Sequence, residues 1–144
     1  MTDVLPSRAA EAALRALPLL DPRGPGAQGV LVRDLAERAR LPEAFLAKVL
    51  QRLALAGVLR SRKGRAGGFV LGRPASEITL ADVVLALEGR DDLGKVYPQA
   101  GGTVGLRLAP VRDRLLSLLS STTIEDLLPP RPDSGPASGR EAEG

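Results

Sequence analysis

Residues 30–74 run VLVRDLAERARLPEAFLAKVLQRLALAGVLRSRKGRAGGFVLGRP, and their order of helix, turn, helix and basic hairpin decides the fold. Val32, Leu35, Ala36 and Ala39 recur at helical spacing while Arg33, Asp34, Glu37 and Arg38 face away, which predicts a helix from Val32 to Arg40. Leu41 and Pro42 break it. Pro42 suits the opening of the next helix, where a missing N–H is no loss, and Glu43 complements that helix's positive end. Leu46, Val49, Leu50 and Leu53 then make one apolar stripe, with Ala44, Ala47, Lys48, Gln51 and Arg52 on or beside the opposite face. Gly57 is the expected C-terminal stop. Val58 to Arg62 alternates with period two, and Phe69-Val70-Leu71 returns as a second strand. The expected fold is mainly α with a small β-hairpin wing: a winged helix-turn-helix followed by a long C-terminal helix.

The excess of positive charge is concentrated in the same stretch. From Ala44 to Ser76 there are seven basic residues, Lys48, Arg52, Arg60, Arg62, Lys63, Arg65 and Arg73, and no acidic one, so this segment accounts for the net charge of +3. Concentrated on one motif, that charge is a footprint for a polyanion. Arg62, Lys63 and Arg65 at the wing are expected to meet phosphates or enter a minor groove. Gly67 and Gly68 permit a tight turn and a close approach of backbone to a ligand. Lys48, Gln51 and Arg52 are the candidates for major-groove edges, since lysine and arginine suit guanine acceptors and glutamine suits adenine. Phe45 either touches a thymine methyl or packs under its own helix. Ala44 and Ala47 offer no side-chain donor or acceptor, so direct readout is expected to be sparse. The glycine run is no nucleotide-phosphate loop, because it lacks the GK[ST] ending and lies between strands.

Several blocks in one order resemble a known family: Ala13 to Leu17, Asp34 to Arg38, Phe45-Leu46, Leu50 to Leu53, Ala56 to Leu59, Gly67-Gly68-Phe69, and Arg73-Pro74 leading into Glu77 to Val84. Ala86 to Gly89 and Ser121 to Leu128 complete the match. The chain resembles winged-helix regulators of the IscR, NsrR and CymR type over about Leu5 to Leu128. The resemblance implies a homodimer on double-stranded DNA, with the long helix crossing its symmetry mate. It also marks departures. Relatives usually carry tyrosine where Ala12 and Phe45 stand, and sensing members hold an iron–sulfur cluster on three cysteines and a further ligand within residues 90–105. This chain has no cysteine, and Tyr97, Asp91 and Asp92 supply no thiolate, so no cofactor is expected. The effector, small molecule or protein, is left open.

Outside the motif, Ser7 to Leu17 reads as a first helix ended by Pro18. The resemblance makes its Arg8 and Arg15 possible phosphate contacts, whereas charge on a helix face is ordinarily just solvated. Asp21 to Gly29 is a loop. Thr79 caps a helix to Leu87, with Asp82 in the capping-box position and Leu80, Val83, Val84 and Leu87 as its stripe. Residues 90–105 read as an irregular linker or effector loop. Leu106 to Ser120 follows as a helix with Leu108, Val111, Leu115, Leu118 and Leu119 on its apolar face, and Thr123 to Leu128 as a short one. The expected organisation is therefore a DNA-binding domain over 1–89, the linker, a dimerisation region over 106–128 and a disordered tail over 129–144.

No signal-peptide pattern opens the chain and no apolar run approaches the ~20 residues of a bilayer span, so a cytoplasmic location is expected. Without histidine or cysteine the usual general base, thiol nucleophile and zinc ligands are missing, which argues against an enzyme. The expectation is a sequence-specific transcription regulator, a homodimeric repressor on a palindromic operator. The alternative is a winged-helix module that contacts a protein partner, which has no need of seven unopposed basic residues.

Overall fold

A computed structural model describes residues 5–63 and 68–129. Arg65 and Gly67 of the wing tip, and the expected tail from residue 130 on, lie outside the described residues. Ser7 caps helix α1 (Arg8–Ala16) by accepting from the Ala10 N–H, and Pro18 turns the chain into a single 3-10 turn over Leu17–Leu19. Helix α2 (Val32–Ala39) ends where Arg40 takes a left-handed conformation, φ 59°. Helix α3 (Glu43–Leu55) follows directly, with extended Pro42 as the residue before its first turn. Gly57, at φ 84°, lets the chain leave α3 for strand β1 (Leu59–Arg62).

Strand β2 (Gly68–Leu71) pairs antiparallel with β1 from Leu59 opposite Leu71 to Arg62 opposite Gly68. A third strand position joins the wing: Val30 and Phe69 exchange both backbone hydrogen bonds, at 3.0 and 2.9 Å. This contact explains Gly68 more directly than a turn does. Its φ is +93°, and a Cβ there would collide with the Val30 carbonyl and lie 2.9 Å from the Leu31 nitrogen.

Helix α4 (Leu80–Glu88) has the full capping box, Thr79 Oγ1 accepting from Asp82 N–H and Asp82 Oδ2 accepting from Thr79 N–H. Its Val83 and Val84 are fully buried among Leu17, Leu46, Leu50 and Leu53, so the core sits between α1, α3 and α4. Thr79→Ala removes one half of that box and is expected to cost ~1 kcal/mol in urea denaturation, with unchanged m-value.

Residues 90–105 are more ordered than the sequence reading expects. A short helix α5 (Leu93–Val96) forms, and the long helix α6 (Gly102–Ser121) starts four residues before Leu106. Gly101-Gly102 reads as loop, yet Gly101 is the extended residue before α6, and Gly102 (φ +68°) is assigned to its start. Pro110 lies within α6 and removes one of its backbone donors. Of the predicted apolar face, Leu119 is buried and Leu115 half-buried, while Leu108, Val111 and Leu118 are exposed. After α6 the chain returns to the start of α4, where Ile124 N–H donates to Ile78 O and Leu80 N–H to Thr122 O. The expected last helix is a 3-10 turn over Glu125–Leu127.

Candidate nucleic-acid interface

On α3 the apolar stripe is buried against the core, which fixes the opposite face outward: Ala44, Lys48, Gln51 and Arg52 are exposed. Lys48 and Gln51 present free reach from the middle of the helix. Arg52 does not join them. Its guanidinium donates to the Leu87 carbonyl near the C-terminal end of α4, a position that favours a cation. Phe45, 36% exposed, stands at the N-terminal end of α3 and borders a cavity of about 280 Å³ shared with Ala12, Leu41 and Pro42. The small side chain of Ala12 contributes to that space. Arg15, beside it, has an internal partner: its Nη2 donates to Ala39 O at 2.6 Å and closes the end of α2.

The wing is positioned by similar ties. Arg62 Nη1 donates to the Pro25 and Ala27 carbonyls, both at 3.0 Å, so its side chain pins β1 to the 21–29 loop. Arg73, at the base of the wing, pairs with Asp82 at 3.0 Å and so ties β2 to the N-terminus of α4. Arg60, Arg62 and Lys63 are all exposed. A cleft of about 490 Å³ runs between the helix pair and the wing, bordered by Arg33, Glu43, Ser61 and Phe69. Arg33 is the residue that sequence reasoning overlooks: its periodicity says only that it faces away from the core, and the approach of β1 is what brings it beside the wing.

A family model described as iron-dependent transcriptional regulator, Rrf2, matches residues 6–130. The chain belongs to the Rrf2 family. A Mycobacterium tuberculosis (strain H37Rv) relative of the HTH-type regulator class is 36% identical over 131 residues, 84% of this chain and 79% of its own length. CymR of Bacillus subtilis is 31% identical over 96 residues, 67% and 70% of the two chains. The solved structure of CymR, the global cysteine regulator of B. subtilis, superposes with a TM-score of 0.70 at 26% identity, covering 88% of this chain and 96% of that one. This Rrf2 member is thus a DNA-binding transcription regulator with a winged-helix fold, and not an enzyme.

The chain has neither cysteine nor histidine. Among the described residues no group of three or more acidic, histidine or cysteine side chains is placed to hold a metal ion. The donor set does not fit an iron–sulfur cluster. Among the described residues no helix is long and apolar enough to cross a membrane.

Proposed function

We propose that this Rrf2 regulator is a homodimeric repressor that occupies a palindromic operator in the cytoplasm without an iron–sulfur cluster. The observation that carries the dimer is α6. Val104, Leu108, Val111, Leu115 and Leu118 follow helical spacing, and four of them are 64, 49, 65 and 48% exposed in the single chain. Such a stripe is unfavourable in water, and a second copy related by a two-fold axis covers it with itself. The division of labour is a DNA-binding unit over 1–89, a linker over 90–105 and a dimerising unit over 106–128.

In this reading Lys48 and Gln51 meet base edges, and Phe45 a thymine methyl. Lys63, Arg65, Arg60 and Arg33 meet phosphates, with Gly67 and Gly68 letting the wing backbone approach. Arg52 and Arg62 act as positioning residues, because their bonds to Leu87 and to the 25–27 loop aim α3 and the wing.

Fluorescence anisotropy on duplex from upstream of the coding region and on a scrambled duplex, at several salt concentrations, tests both points. The native duplex is expected to bind ~10³-fold tighter at physiological salt. Lys63→Ala, which removes one phosphate contact from each subunit of the dimer, is expected to flatten the log–log salt slope by ~1.8. Arg52→Gln is expected to weaken binding with the slope unchanged, since no counterion-releasing contact is lost. Equal, weak binding to both duplexes would return the basic wing to the protein-partner alternative.

A further inference from the structure

The segment after α5 is clasped over α6 at two points. Arg112, only 24% exposed, donates from Nε to the Tyr97 carbonyl at 2.6 Å. At the other end Gly105 lies so close to the Ala100 backbone that a Cβ there would collide with its carbonyl oxygen. Between the clasps, Val96, Tyr97, Leu108, Ala109 and Leu115 border a cavity of about 350 Å³ with predominantly apolar walls. This volume is in the range of small-molecule sites, and a stretch held at both ends keeps it from collapsing.

Chemistry at the polar end narrows the occupant. The Arg112 guanidinium is the charged group bordering the cavity; Asp113 faces it at 3.5 Å and Asp92 shares the adjoining cleft, whereas Asp91 there is paired with Lys95 at 3.0 Å. Its charge is met, so an incoming anion gains little, while its remaining N–H groups still offer hydrogen bonds. From these observations we infer that the cavity between residues 96–100 and α6 is an effector site for a small uncharged apolar molecule carrying one hydrogen-bond acceptor. The inference rests on the regulator reading for its consequence at DNA. That consequence has a physical route: α6 packs on α4, and α4 is tied to α3 through Arg52 and to the wing through Arg73. Leu108 also belongs to the exposed stripe of α6, so a second copy on that stripe closes the open side of the cavity.

The site carries its own reporter. Tyr97 is the single tyrosine of a chain without tryptophan, so tyrosine emission reads this cavity alone. Burial, with the Glu88 carboxylate adding to it, raises the Tyr97 phenol above its ordinary pKa, so the reporter stays protonated through the neutral range. The experiment titrates the intact protein, without DNA, with ethyl hexanoate and separately with hexanoate, following Tyr97 emission and thermal unfolding. The ester is expected to change the emission saturably with half-saturation below ~1 mM and to raise Tm, the carboxylate to do neither. Ala109→Leu, which fills the space from α6, is expected to abolish the response while Tm without probe is equal or higher. A native protein that ignores the ester, or an Ala109→Leu protein that responds equally, overturns the site; so does a response to hexanoate as strong as to the ester. Repeating the anisotropy titration with saturating ester is expected to shift DNA affinity at least threefold. Unchanged affinity with intact ester binding overturns the effector role, and loss of DNA binding with or without ester is a failure of the regulator reading instead.

Discussion

Val111→Asp combined with Leu108→Asp leaves a folded monomer whose affinity for the native duplex falls by ~10³. In the single chain Val111 is 65% exposed and Leu108 49%, so carboxylates there enter water, and the fold is expected to lose no more than about 0.5 kcal/mol per site. At a two-fold interface the same carboxylates face each other across an apolar stripe and are desolvated without partners, which is prohibitive. The loss at DNA follows from geometry. Two linked recognition helices bind two half-sites with the second event made intramolecular, a gain of ~10²–10⁴ that a monomer forgoes. Sedimentation velocity, circular dichroism and anisotropy on one preparation separate the effects. A dimer that survives both substitutions, or a folded monomer that keeps full affinity, sinks the proposed role of α6.

The second large effect is on stability. Gly68→Ala is expected to cost ~3 kcal/mol and Gly57→Ala ~1 kcal/mol, although the two glycines have nearly the same backbone angle, φ +93° and +84°. The difference lies in their surroundings. A methyl at Gly57 meets nothing within 4 Å, whereas at Gly68 it meets Val30 and Leu31 backbone, which moves only if the Val30–Phe69 pairing opens. Urea denaturation of the two variants measures the gap directly. Equal losses would show that conformation alone, and not the close approach of residue 30, explains the glycine.

These two variants also mark what was legible in the sequence. The helix pair was, because Leu46, Leu50 and Leu53 repeat with a helical period and bury as a stripe. The capping box at Thr79 and Asp82 was, because it is a contact between residues three apart. The targets of the arginines were not. Arg52 finds a carbonyl 35 residues on and Arg15 one 24 residues on, and each is a generic acceptor that no local pattern marks. Sequence reasoning assigns Arg52 and Arg62 to nucleic acid from charge and position, and the bonds each also makes within the chain are invisible to charge. The start of α6 is hidden for the opposite reason: paired glycines signal a break, but here they lie at the very start of a helix whose drive comes from the leucines after them.

One consequence of how Arg52, Arg62 and Arg73 are used concerns evolution. Arg52, Arg62 and Arg73 donate to carbonyls and to Asp82 of their own chain, while Lys48 and Gln51 stand exposed on α3 without such a tie among the described residues. If Lys48 and Gln51 read bases as proposed, aim and message are written in separate residues. A lineage of such proteins can exchange the outward side chains, acquire a new operator and drift to new genes without re-engineering the frame that delivers them.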